Sequence, residues 1–155
     1  MTASPINQDE FIRFLLDAKR ATYASEGGER VVEPVLPGAH QLEYRDGPLL
    51  YRDIYYGGLA FVGQETVYVG DVPLWSMCYS GGMLDDQATL GGFLKEAMRH
   101  VSADRPFRGP DTYRSGDYEY ADESHGSVER FWGVERITYR GRLIYDLRYS
   151  GGFIR

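Results

Sequence analysis

The chain has 155 residues, 43% of them hydrophobic and 26% charged, which suits one domain burying roughly 70% of its unfolded surface without disulfide or metal staples. A formal charge of −6 with no basic run speaks against a direct nucleic-acid partner, and the apolar stretches are too short to span a bilayer. One cysteine, Cys78, and an N-terminus (MTASPINQDEF) without signal-peptide layout lead to the expectation of a soluble cytoplasmic protein.

In chain order, Phe11, Ile12, Phe14, Leu15, Ala18 and Ala21 recur at helical spacing, and Asp9 and Glu10 suit the positive end of a helix dipole. A helix is predicted from about Gln8 to Tyr23. SEGGERVVEPVLPGAHQ reads as a long loop, with Val31-Val32 a short edge strand; such loops often cover cavities. From Gln41 to Tyr79 strands are predicted, with turns at Asp46-Gly47, Gly57-Gly58 and Gly70-Asp71. A second helix follows, capped by Asp85, Asp86 or Thr89, with Phe93, Leu94, Ala97, Met98 and Val101 as its apolar face. SADRPFRGPDTYRSGD reads as a loop. Strands resume from Tyr118 to Ile154, turning near His125-Gly126-Ser127 and Arg140-Gly141.

Residues 61–84 and 131–154 are one segment written twice without a gap. Phe61, Gly63, Glu65, Tyr79, Ser80, Gly81 and Gly82 fall on Phe131, Gly133, Glu135, Tyr149, Ser150, Gly151 and Gly152. With a one-residue shift the match continues upstream, Gly47, Tyr51, Asp53 and Gly57 falling on Gly116, Tyr120, Asp122 and Gly126. The predicted class is α+β: a single domain, 1–155, made by tandem duplication of an αβββ unit (about 8–84 and 88–154). A mostly antiparallel sheet would carry two helices on one face, with pseudo-two-fold symmetry.

FLLDAKRATYAS at 14–25, YRDIYYGGLAFVGQE at 51–65, PLWSMCYSG at 73–81, FLKEA at 93–97 and PFRGP at 106–110 resemble a bacterial family of uncharacterised domains, found alone or behind helix-turn-helix DNA-binding domains. The resemblance implies that some members sense a small molecule; it implies no catalytic mechanism. Few residues precede the first helix, so no DNA-binding domain is expected in this chain. The plan of two helix-and-strand units is also similar to the effector-binding domains of drug-sensing regulators, where an acid in an aromatic cleft meets lipophilic cations.

Glu65 and Glu135 are the leading candidate site residues, because strand alternation sets each on an apolar face, where a carboxylate is costly unless partnered. With Trp75, Tyr79, Tyr145 and Tyr149 they would hold a cationic ligand by charge and cation–π attraction. Alternatively each accepts hydrogen bonds from a neighbouring strand, a Tyr or an Arg, and is structural. Hairpin register separates the two: two-residue turns place Glu65 opposite Ser76 and Glu135 opposite Asp146, whereas a bulge moves both to the face of Trp75, Met77, Tyr145 and Leu147. Asp53 and Asp122 raise metal or paired-acid chemistry without a supporting motif. His40, His100 and His125 read as surface residues and Cys78 as a packed thiol. Around PFRGP, Arg105, Arg108 and Arg114 would either receive an anion or balance local acids while Phe107 packs on the sheet. The resulting expectation is a non-enzymatic small-molecule-binding domain with no cofactor or metal. A homodimer-forming module and a hydrolase using paired carboxylates stand beside it.

Overall fold

The computed structural model describes residues 6–25 and 30–155; residues 26–29 of the first long loop and the extreme N-terminus lie outside it. The chain runs α1 (Gln8–Ala21), β1 (His40–Asp46), β2 (Leu49–Gly57), β3 (Ala60–Val69), β4 (Val72–Met83), α2 (Phe93–Met98), β5 (Thr112–Ser115), β6 (Tyr118–Ser127), β7 (Arg130–Tyr139) and β8 (Arg142–Phe153). All eight strands join one antiparallel sheet in the order β1-β2-β3-β4-β8-β7-β6-β5. The class is α+β, as expected. Each helix is followed by four strands instead of three: the three turns between Gln41 and Tyr79 already divide the first stretch into four, and in the second Thr112–Ser115, assigned to a loop, pairs with β6. Of the Val31-Val32 edge strand only a single bridge forms, Val31 to Leu42.

Asn7 caps α1, its side chain accepting from the Asp9 and Glu10 amides, and this satisfies two of the donors a helix start leaves open. Phe11, Leu15 and Ala18 are fully buried; the Phe11 ring lies 5.9 Å from Trp75 and 4.9 Å from Phe153. α2 is shorter than predicted and lacks a side-chain cap, so none of Asp85, Asp86 and Thr89 serves as one. Phe93 pins it to the sheet by stacking on Tyr118 at 5.0 Å. Both helices therefore pack on the face that carries Trp75, Met77, Tyr120 and Leu147, which with Tyr51, Val67, Ile137 and Tyr145 form the core.

Hairpin register combines the two alternatives. Val69 pairs with Val72 and Tyr139 with Arg142, so Gly70-Asp71 and Arg140-Gly141 are two-residue turns. A bulge then follows in each hairpin, after Val67 and after Ile137, and sets Glu65 opposite Met77 and Glu135 opposite Leu147. One extra residue flips every side chain beyond it to the other face. Apolar segregation and turn chemistry are thereby satisfied together. Among the described residues no helix covers the opposite face, which exposes Tyr56, Val62, Trp132 and Cys78; the packed thiol predicted for Cys78 is corrected, since alternation from buried Met77 and Tyr79 turns it outward. No helix among the described residues is long and apolar enough to cross a membrane.

Candidate functional site

Alternation brings Glu65, Glu135, Tyr79 and Tyr149 onto the helix-covered face. Glu65 and Glu135 lie beside Asp53 on β2 and Asp122 on β6, and all four carboxyls are buried. A buried charge is expensive unless a counter-charge and hydrogen bonds replace its water. The chain supplies both for Glu135, and for one of the two oxygens of Glu65. Glu65 Oε2 accepts Lys19 Nζ at 2.6 Å, and the same ammonium donates to the Phe107 carbonyl at 2.7 Å. Arg108 forks onto Glu135 at 3.0 and 3.2 Å, and the Tyr120 and Tyr145 hydroxyls donate to it at 2.5 and 2.8 Å.

These cations also meet aromatic faces. Lys19 lies 5.5 Å from the Tyr23 ring and 5.8 Å from Trp75, and Arg108 lies 5.4 Å from Tyr23 and 5.5 Å from Tyr79. The acidic, aromatic surroundings expected around Glu65 and Glu135 thus enclose cations that belong to the chain itself. Burial lowers the Lys19 pKa, with Glu65 opposing. For Arg108 burial works against the charge, yet Glu135 and the nearby tyrosines outweigh it and raise its pKa.

Asp53 and Asp122 are held by tyrosines that reach across a whole strand. Tyr79 on β4 crosses β3 at Gly63 and donates to Asp53 Oδ1 at 2.6 Å. Tyr149 on β8 crosses β7 at Gly133 and donates to Asp122 at 2.8 Å. A Cβ on either glycine would collide with the tyrosine ring and hydroxyl, so the repeated Phe-x-Gly-x-Glu and Tyr-Ser-Gly-Gly are two halves of one arrangement. Burial, followed by the neighbouring Glu65 charge, pushes Asp53 up to about 7; burial and Glu135 do the same to Asp122, also to about 7.

The two aspartates differ in their cations. Arg105 stands 3.6 Å from the Asp122 carboxylate and donates to the Asp122 carbonyl at 2.7 Å and to Ser124 at 2.9 Å. Among the described residues no cation stands within ion-pair distance of Asp53, the nearby Lys19 and Arg108 being engaged with Glu65 and Glu135. Asp53 instead forms part of the wall of a cavity of about 270 Å³, together with Tyr23, Tyr55, Phe61, Tyr79, Leu94 and Arg108. An adjoining cavity of about 330 Å³ shares Phe61 and Leu94 and reaches Tyr145. The hydroxyl of Tyr23 is buried without a hydrogen-bond partner, as are that of Tyr51 and Oε1 of Glu65.

Of the residues singled out from sequence, Tyr79 and Tyr145 line these cavities. Glu65 and Glu135 are closed off by their ion pairs, Tyr149 serves Asp122, and Trp75 stacks on Phe131 at 5.6 Å while donating to the Val128 carbonyl. Phe107 stacks on Phe131 at 4.2 Å, and Arg105 and Arg108 meet acids, so PFRGP takes the second of its two expected roles. His40, His100 and His125 are exposed and stack separately on Tyr55, Tyr113 and Trp132. Among the described residues no three His, Cys, Asp or Glu side chains are grouped to hold a metal.

Sequence reading missed Lys19 and Tyr23. Lys19 left a signal, since it continues the line of Phe11 and Leu15 at i+4 and i+8 on the buried side of α1. Tyr23, just beyond the helix, left none. Asp53 shares strand alternation with Tyr51 and Tyr55, but nothing local separated it from Asp122.

A family model described as "Domain of unknown function (DUF5680)" matches residues 53–154, beginning at Asp53 itself. Neither the curated proteins nor the solved structures return a match.

Proposed function

The chain belongs to the DUF5680 family, a family without an assigned function, and we propose that it is a non-enzymatic small-molecule-binding domain whose ligand, a cationic or aromatic compound, occupies the cavity at Asp53. The observation that carries this reading is a carboxyl, 2% exposed and held by a single tyrosine hydroxyl, in the wall of a mostly apolar cavity. Such a group works against folding unless it does something else, and perturbed acids in cavities cluster at functional sites. Contact with the ligand moves from Glu65 and Glu135, which have partners already, to Asp53, Tyr79 and the neighbouring Tyr145.

A thermal-shift screen of small aromatic and cationic compounds tests it, with Leu94→Trp as the control that fills the cavity. A ligand at a hundred times its Kd adds about 2.7 kcal/mol of stability, a shift of several degrees for a domain of this size. No shift with any compound, or shifts unchanged in Leu94→Trp, would remove the reading.

The duplication belongs to the same proposal. Across the β4–β8 junction Tyr79 pairs with its own repeat mate Tyr149, and Cys78↔Ser150 and Ser80↔Arg148 exchange under the repeat. The amides of Met83 and Phe153 bond to Leu59 and Glu129 in the same way. Two αββββ halves about a pseudo-dyad at Tyr79 and Tyr149 account for these matches. The second reading, a homodimer, is favoured by the uncovered sheet face, where Tyr56 and Val62 border a groove of about 590 Å³ and Trp132 is exposed. Light scattering on wild type and Trp132→Asp decides it: a monomer at high concentration would end that reading.

A further inference from the structure

We propose that the Asp53 cavity recognises a compound carrying a planar guanidinium or amidinium group, which takes at Asp53 the place that Arg105 takes at Asp122. The inference rests on the small-molecule reading above and names the chemistry of its ligand.

Asp53 lies opposite Glu65 as Asp122 lies opposite Glu135, and each accepts a hydroxyl from a tyrosine two strands away. Four residues on, Gly57 and Gly126 adopt matching backbone angles, φ 94 and φ 91. The strand pairing, the tyrosine donor and the backbone beyond therefore match at the two aspartates, while the neighbouring glutamates differ, Glu135 accepting two tyrosine hydroxyls and Glu65 none. At Asp122 the chain provides a cation, the Arg105 guanidinium, gripped by the Asp122 carbonyl and by Ser124. At Asp53 the residue corresponding to Ser124 is Tyr55, and both Asp53 and Tyr55 line the cavity. A carboxylate beside aromatic rings is the setting in which a flat, weakly hydrated cation binds best.

Lys19 is matched by Glu65, Arg108 by Glu135 and Arg105 by Asp122, and among the described residues Asp53 has no ion pair of its own. Asp53 is faced by Glu65 from β3, Tyr79 from β4, Lys19 and Tyr23 from the α1 side, Arg108 from the loop after α2, and Tyr51 and Tyr55 on its own strand, with Lys95 of α2 also lining the cavity. Burial and Glu65 outweigh the cations and hold its carboxyl at about 7. Cation binding then expels a proton, so affinity rises between about pH 6 and pH 8.

The test is calorimetric titration of the wild-type chain with benzamidine, its neutral isostere benzamide and the anion benzoate, repeated on Asp53→Asn and on Leu94→Trp. Benzamidine is expected to bind wild type at least about tenfold more tightly than benzamide, with proton release near pH 6, and to lose that advantage in Asp53→Asn and bind neither variant well. Should benzamide or benzoate bind as tightly as benzamidine, or should Asp53→Asn keep the preference, the cation assignment falls while a binding cavity stands. Benzamidine binding that survives in Leu94→Trp places the contact elsewhere and overturns the proposal. Silence from all three probes, while the thermal-shift screen yields neutral ligands, overturns the cation alone; silence in both experiments overturns the small-molecule reading as well. If Asp53→Asn fails to fold, the benzamidine-to-benzamide ratio on wild type and the Leu94→Trp result decide.

Discussion

Asp53 ionises near 3.8 in the unfolded chain and near 7 when folded. Below the lower value both states hold the proton. Between the two the folded chain binds more protons than the unfolded one, so this group's contribution falls as pH rises and is fully lost above about 7. Asp53→Asn keeps an acceptor for Tyr79 without the charge. Its stability advantage over wild type is expected to grow from near zero at pH 4 to on the order of 2–4 kcal/mol at pH 8, measured by urea denaturation at both pH values; equal stabilities at pH 8 would mean that the carboxyl is not raised. Lys19 makes the opposite case. Lys19→Met leaves Glu65 buried without its cation and is expected to cost about 3–5 kcal/mol, most of it recovered in Lys19→Met/Glu65→Met. At Gly63 a methyl would push the Tyr79 ring off its path to Asp53. Gly63→Ala should lose about 1–3 kcal/mol and the tyrosine–carboxyl bond with it, visible as a downfield-to-random shift of the Tyr79 hydroxyl proton resonance.

At the scale of elements, stability is uneven. α1 is capped and has a continuous buried stripe, whereas α2 has six residues and no side-chain cap, too short to be stable without docking. Amides of 93–98 are expected to exchange faster than those of β3, β4, β7 and β8 by orders of magnitude, in native-state hydrogen exchange; equal protection would place α2 in the cooperative core. α1 and most strands were readable from periodicity and turn residues, because both signals are local. The end of α2 was not, because apolar spacing continues to Val101 while the backbone tightens to i→i+3 bonds from His100 to Ala97 and from Val101 to Met98. β5 was hidden by its four residues and its neighbouring Gly and Pro. Yet the one-residue-shifted match of Gly47 with Gly116 pointed to a strand before Gly116, as β1 comes before Gly47.

Over the whole molecule the two halves interlock. Lys19 of α1 donates to Phe107, Arg108 lies over Tyr23 and Tyr79, and Trp75 donates to Val128, so the cation that neutralises each buried glutamate is itself seated against the other half. An isolated segment 85–155 would expose β8, which shares the Tyr-Ser-Gly-Gly stretch of its partner β4. That segment is expected to elute as a dimer through antiparallel β8–β8 pairing about Tyr149, and a stable folded monomer would show that the junction is dispensable. The α+β class, and the alternation that sets Glu65 beside Phe61 and Val67 and Glu135 beside Phe131 and Ile137, were determined by sequence alone, because alternation along a strand is local. Tertiary structure decided the rest. The bulges that fix the register arise where apolar faces and two-residue turns must both be satisfied. Glu65 meets a cation 46 positions away and Glu135 one 27 positions away, distances at which no local pattern predicts a charge pair. The contrast between Asp122, facing Arg105, and Asp53, facing a cavity, comes from unlike loops folding over like strands, and it sets the candidate site in one half only.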